Sequence, residues 1–393
     1  MPSDPPPGAD ATVDVVVVGA GPAGCAAAVT LARDGRSVLI VDSGRAERTF
    51  RVGEGAPPGL DQAVDQVFGP DAFGGHDHLR SFANRSAWGS AVAVDTDFMF
   101  NPFGPGWHLD RVAFDARLVE RAEAAGARIW DGTVRTADAR GGPGVAGRWT
   151  LQVETRSGGR EVDAALVCDA SGRRAAFARR HGATLVTHDR LVAAVAVFDR
   201  SAVRRPGSIG DDDIDSATTI ESVEGGWWYS AAIPGDRRVV AFFTDGDLLP
   251  DGIRSADGFR GLVAATGHVG PLVGGDRLTY DLPEPPAIVA AGTSHLDQPT
   301  GAGWVAAGDA AACFDPLSSQ GTLTAVLMGR TAGDALISLL VDRRAGTDAY
   351  ESRYRSIMDR FLDEQAATYA VEQRWPDAPF WQRRHAVMPP PPG

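Results

Sequence analysis

The sequence contains no lysine: all 38 Lys+Arg positions are arginine. Lysine nucleophiles, Schiff bases and lysine-borne oxidants are thereby excluded, because a guanidinium stays protonated and is a poor nucleophile. Cysteine is also scarce. Cys25, Cys168 and Cys313 lie in small-residue or apolar surroundings at no disulfide or metal spacing, so they read as buried structural thiols. No run of about 18 apolar residues is available to span a bilayer, and the opening MPSDPPPGADATVD lacks the apolar centre of a secretion signal. A cytoplasmic location with no membrane partner is expected. Positive charge is in deficit: 51 Asp+Glu and 38 Arg leave a formal net charge of −13, which disfavours nucleic acid as a partner. No metal is expected, including at His76 and His78 of GGHDHL.

What is present fits an enzyme of two lobes. The chain has 393 residues and 44% hydrophobic content, enough for two cores. Residues 1–11 and 388–393 are Pro/Gly-rich and read as disordered tails. Asp14-Val15-Val16-Val17-Val18 is a β-branched run suited to a doubly buried parallel strand. An Ala-rich helix from Pro22 to Asp34 and a second buried strand from Ser37 to Val41 complete a βαβ unit. Phe114, Leu118 and Ala122 recur at i+4 and mark one apolar face of a helix over 111–125. From about 185 to 250 the texture changes to an antiparallel meander, LVAAVAVF, TTIESV, WWYSAAI and RVVAFFT, separated by turn clusters. Helical patterns over 321–341 and 346–374 follow.

Gly19-Ala20-Gly21-Pro22-Ala23-Gly24 is a GxGxxG stretch that follows a strand and opens a helix. Gly19 permits the tight turn, Gly21 lets the backbone approach a pyrophosphate, and Gly24 allows close helix–strand contact. The helix N-terminus supplies N–H donors and a positive dipole. Asp42, 23 positions after Gly19 at the end of the second strand, is placed to accept ribose hydroxyls.

Five further stretches carry a family resemblance, RVGEGAPPG at 51–59, GWHLDRVAFDARL at 106–118, LVCDASGRR at 166–174, GWVAAGDAAACFDPLSSQG at 303–321 and RWPDAPFWQRR at 374–384, together with the GAGPAG unit. In this order they resemble the para-hydroxybenzoate-hydroxylase-fold flavoproteins, and within them the branch that includes tryptophan halogenases. The resemblance implies FAD and an α/β (α+β, two-lobed) fold: a Rossmann-like FAD-binding domain, an inserted antiparallel-sheet substrate domain and C-terminal helices. The expected boundaries are 12–75 with 106–180 and 285–345 for the FAD domain, 76–105 with 181–284 for the substrate domain, and 346–387 for the helical segment. It also implies that Asp309 accepts hydrogen bonds from the ribityl chain and that Pro316 ends the loop against the isoalloxazine. By the same resemblance Gly321 opens a helix facing the flavin pyrimidine ring, and Arg51 and Arg111 stand on the cofactor side.

Two fates are open to a flavin C4a-hydroperoxide, the oxidant that the resemblance implies. In the halogenases chloride captures the distal oxygen, and a lysine carries or positions the oxidant. This chain has no lysine, and the halogenase WxWxIP signature is altered to GWWYSAAIP at 226–234. Direct oxygen transfer to an electron-rich ring remains. Trp227, Trp228, Tyr229, Phe243, Phe98, Phe100 and Phe103 are candidate pocket residues, each of which can equally be a core aromatic. Glu54, His108 and Tyr229 are the candidate catalytic groups. Halogenase-like chains without the lysine resemble the flavoprotein maturases that hydroxylate a tryptophan in a partner polypeptide during tryptophylquinone formation. Hydroxylation or halogenation of a small phenol or indole, a reductase or dehydrogenase, and a non-catalytic FAD-bearing chaperone are the rival readings. The reductant is NAD(P)H directly or reduced flavin from a separate reductase, since no second strand-linked GxGxxG occurs. Trp375, Phe380 and Trp381 are expected either to dock a partner or to pin the tail to the core.

Overall fold

Val13, Val15, Val16 and Val17 of the strand Ala11–Val18 are all buried, as a continuous β-branched run requires of a central parallel strand. The computed structural model describes residues 11–44, 52–140, 148–200, 215–274, 280–342 and 347–386. Ala11–Val18 lies parallel to Val38–Asp42 on one side and to the second half of Gly158–Asp169 on the other. Two long strands each serve two neighbours. Arg128–Arg140 begins parallel to Val38–Asp42 and continues antiparallel to Arg148–Thr155, which then pairs with the first half of Gly158–Asp169. Trp304–Ala306 adds a further strand, parallel to Val167–Asp169.

One face of the sheet carries the helices Pro22–Arg33, Arg111–Ala124 and Gly321–Val341, with Leu31, Phe114, Leu118, Val326 and Leu336 in their shared core. The expected i+4 stripe is the buried one. Asp110 caps the second of these helices by accepting from the Val112 and Ala113 N–H groups, both at 3.0 Å. Gly321–Val341 has the length and apolarity of a membrane span, but Val326, Ala332 and Leu336 are fully buried within the protein. The other face of the sheet holds Leu39, Trp149, Leu151, Val153, Phe177 and Tyr354.

The meander forms a second sheet in the order Tyr280–Asp281, Leu191–Arg200, Arg237–Asp245, Gly226–Ile233, Thr218–Val223, Ala83–Ala87, Val94–Asp97. Ala287–Ala290 pairs with Leu191–Arg200 in this sheet, so the return to the first lobe expected at 285 comes after Ala290. The period of two decides which aromatic goes where. Trp227 and Ile233 face a core with Tyr369, Phe380 and Trp381, whereas Trp228 faces Phe242, Phe259 and the helix Ala256–Ala264. The C-terminal segment is therefore structural: Phe380 and Trp381 are fully buried, and the Trp381 indole donates to the Val223 carbonyl at 3.0 Å.

Helices Pro22–Arg33 and Gly321–Val341 touch through glycine. A Cβ on Gly329 would lie 2.2 Å from the Ala23 carbonyl oxygen, and one on Gly333 would lie 2.7 Å from Thr30 Cβ. Gly329→Ala is expected to force these helices apart and to lower unfolding stability by about 1–3 kcal/mol, the usual cost of overpacking. Urea denaturation measures it, and an unchanged midpoint would contradict the contact.

Candidate active site

The glycine turn has the local geometry its spacing predicts. Gly19 adopts φ +107°, and a Cβ there would stand 2.3 Å from the Ala170 carbonyl oxygen; at Gly24 it would stand 2.0 Å from the Gly19 oxygen. Gly21 differs, since a Cβ there would meet nothing within 4 Å. The turn is crowded on the protein side and open on the other, which is the shape a phosphate needs to reach the first-turn N–H groups. Pro22 occupies the first turn, where its missing N–H costs nothing, and Ala23 is buried beneath Gly308 and Gly329. The Asp42 carboxylate accepts from the Ala20 and Gly44 N–H groups, both at 3.2 Å. This cradle fits a dinucleotide.

The second element is the loop before Gly321–Val341. Gly308 has φ +59°, and the exposed Asp309 lies between the buried Gly308 and Ala310. Pro316 opens a single helical turn, Pro316–Ser318, and Ser319 follows at φ 52°, an uncommon conformation for a side-chain-bearing residue. A Cβ on Gly321 would meet nothing within 4 Å, so this helix N-terminus is open as well. Asp315, which sequence reasoning passed over, holds the loop from behind. It accepts from the Leu317 N–H, the Gln365 amide and the Tyr369 hydroxyl, each at 2.9 Å. The Trp227 indole N–H in turn donates to the Tyr369 oxygen at 3.1 Å. Burial pushes the Asp315 carboxyl upward against these hydrogen bonds. The only sequence signal was an Asp-Pro pair; its partners lie 50 and 54 positions away.

The third element is the segment ending in Glu54. Its carboxylate, 4% exposed, accepts from the Gly53 N–H at 3.1 Å. Arg111 donates to the Val52 and Gly53 carbonyls at 3.0 Å and pairs with Asp115 at 3.2 Å, so it clamps this segment. Tyr229 brings its hydroxyl beside the Glu54 carboxyl, near enough to influence its titration though outside hydrogen-bond geometry. A Cβ on Gly55 would lie 2.9 Å from the Tyr229 oxygen and 3.9 Å from Ser319 Oγ, so Glu54, Tyr229 and Ser319 converge. Burial raises the Glu54 carboxyl, with Arg111 opposing. Burial first, and then the Glu54 charge, hold Tyr229 well above the ordinary phenol range.

His108 pairs in register with Gly55 but turns into the wall. It is 1% exposed, its Nε2 lies 2.9 Å from Thr218 Oγ1, and burial followed by the Arg238 charge lowers it to about 4. It is a neutral imidazole sealed from solvent. Trp227 and Phe243 stack with centroids 3.8 Å apart on the Tyr229 side of the sheet, whereas Trp228 is on the opposite side. Phe100 is 93% and Phe103 55% exposed, so neither lines an enclosed pocket. Arg51 lies outside the described residues. A polar cleft of about 400 Å³ between His295–Thr300 and Glu351–Asp359 contains none of these groups.

The FAD dependent oxidoreductase family matches residues 14–190. LodB of Marinomonas mediterranea, described as an FAD-dependent oxidoreductase, is 30% identical over 382 residues, covering 95% of this chain and 97% of that protein. The myxobacterial chondrochloren halogenase CndH superposes with a TM-score of 0.81 at 20% identity, covering 95% of this chain and 86% of its own. The peptidyl tryptophan dihydroxylase QhpG, essential for tryptophylquinone cofactor biogenesis, superposes with a TM-score of 0.72 at 23% identity, covering 95% of this chain and 79% of its own. The expected two-lobed flavoprotein fold is the fold these structures share.

A carboxyl raised by burial binds its proton more tightly folded than unfolded. Stability must then fall as pH rises from the ordinary 4.5 through the raised value of Glu54. Glu54→Gln removes that component: the variant is expected to gain on the parent as pH increases above 4.5. Urea midpoints across this range test it, and parallel curves would contradict the assignment.

Proposed function

This chain belongs to the FAD-dependent oxidoreductases, and we propose that within that family it is a monooxygenase that hydroxylates a tryptophan side chain of a partner polypeptide. FAD is its cofactor; when bound and reduced, it delivers two electrons to dioxygen and so makes one oxygen atom electrophilic. Gly19, Gly21, Pro22, Ala23 and Gly24 would receive the pyrophosphate and Asp42 the ribose. Asp309, Pro316 and Gly321 would hold the ribityl chain and ring. Arg111 acts one step back, by fixing the Val52–Glu54 backbone.

The observation that carries hydroxylation over halogenation is the absence of lysine from the whole sequence, because arginine cannot take up and release the oxidant as an amine can. Glu54 and Tyr229 supply proton control in its place. Burial keeps a proton on each to higher pH than in water. The pair can donate toward developing negative charge on the departing oxygen and take back the proton that the ring loses on rearomatising. One oxygen atom of dioxygen enters the ring and the other leaves as water, using both electrons. His108, sealed against Thr218, supports the strand and takes no part in the transfer. A polypeptide substrate is favoured by the shared fold with a peptidyl tryptophan dihydroxylase.

The test combines FAD-loaded enzyme, a reductant with a flavin reductase, dioxygen, chloride and tryptophan-containing polypeptides encoded beside the gene. A mass gain of one or two oxygen atoms on tryptophan is expected; a chlorine isotope pattern would overturn the reading. Tyr229→Phe should retain FAD yet lose about 10²-fold in product formation rate, a typical general-acid contribution. Asp309→Ala should lose the cofactor on gel filtration, and full occupancy in that variant would refute the ribityl contact.

A further inference from the structure

The aromatic stretch that the enclosed site leaves unused lies on the surface. In the edge hairpin Ala83–Asp97 and the turn after it, Val92 is 71% exposed, Val94 64%, Met99 76%, Phe100 93% and Phe103 55%, with Phe82 at 52% beside them. Phe98 N–H donates to the Phe82 carbonyl, and successive turns follow from Phe98 to Asn101 and from Asn101 to Gly104, which brings Phe82 and the Met99–Phe103 turn together at one end of the hairpin. Side chains this apolar and this exposed, contiguous in space, are uncommon on a surface that meets only water.

The patch adjoins the active site. A Cβ on Gly106 would lie 3.3 Å from the Phe98 ring and 2.9 Å from the Ala56 carbonyl, and one on Gly59 would lie 3.4 Å from Phe103. The strand Gly106–His108 pairs directly with Gly55–Ala56, the segment that follows Glu54. Val94–Asp97 ends its sheet among the described residues, and all four of its residues are exposed, so its outer row of N–H and C=O groups is available to another strand.

Charge selects the occupant. Arg85 of the adjacent strand is shared by Asp95 of the edge and by Asp215, which precedes the strand Thr218–Val223 on the inner side, and Asp97 has no cationic partner among the described residues, so the edge strand Val94–Asp97 carries two carboxylates and no cation of its own. An anionic lipid surface and a second copy of this acidic edge would both be repelled. A strand bringing lysine or arginine together with apolar side chains would be attracted. We propose that this edge and the Met99–Phe103 turn form the docking surface for an extended, basic segment of the substrate polypeptide, laid alongside Val94–Asp97. This places the target aromatic within reach of Glu54 and Tyr229, and it rests on the polypeptide-substrate reading above.

The test is fluorescence anisotropy on oxidised, FAD-loaded enzyme with a fluorescein-labelled peptide in which one tryptophan is flanked by alternating leucine and lysine. Saturable, salt-sensitive binding is expected. It should weaken at least ten-fold in Met99→Ser/Phe100→Ser and several-fold in Asp97→Asn, with FAD content unchanged in both. Undiminished affinity in the double variant, no peptide binding by the parent, adsorption of the parent to phosphatidylglycerol vesicles, or a parent dimer that the double variant abolishes would each overturn the proposal. No turnover is needed: peptide that binds through this edge but is never oxygenated refutes the monooxygenase reading alone. Oxygenation with affinity unaffected by the variants refutes the docking surface alone.

Discussion

The close approach of the helices Pro22–Arg33 and Gly321–Val341 is the constraint on which the site depends. With Gly329 against Ala23 and Gly333 against Thr30, the two helices run side by side in the same direction. Both N-termini thus point toward one end of the lobe. At 1.5 Å per residue, the eight residues from Gly321 to Gly329 carry the second N-terminus about 12 Å beyond its contact with the first helix. Under the proposed function, one positive helix end would serve the phosphates of the dinucleotide and the other the ring that gains charge on reduction. A side chain at Gly329 would disturb both ends together.

The second lobe is joined to this frame by hydrogen bonds between distant parts of the chain. The sequence Trp227 to Tyr369 to Asp315 links the meander, the long C-terminal helix and the loop that precedes Gly321. Gln365 reinforces it from the same helix. A buried carboxylate is costly unless its lone pairs are occupied, and here three donors occupy them, so the loop has one favourable position relative to the second sheet. Glu54 and Tyr229 stand at the same junction from the other side, with Arg111 holding the backbone of Val52 and Gly53.

Much of the first lobe was legible because its signals are local. The valine run, the GxGxxG turn and the i+4 stripe of Phe114, Leu118 and Ala122 each depend on neighbours a few positions away, and backbone geometry converts them into structure directly. The meander strands were legible for the same reason, but their faces were not. Which of Trp227 and Trp228 faces the active-site side depends on what covers each face, and the cover on one side, Phe380 and Trp381, comes from more than 140 residues downstream. Phe100 and Phe103 read as pocket residues because composition shows that an aromatic will seek a partner without showing whether that partner belongs to the same chain. His108 shows the converse: an ionisable residue beside a candidate site that is buried against Thr218.

The proposed hydroxylation transfers oxygen, not halogen, and takes it from dioxygen. The decisive measurement is isotopic: turnover of the tryptophan-bearing polypeptide by FAD-loaded enzyme, with a reductant and a flavin reductase, under ¹⁸O₂ in ordinary water containing chloride. Every oxygen newly bound to the indole should carry the heavy isotope. Oxygen from water, or a chlorinated indole, would contradict the account.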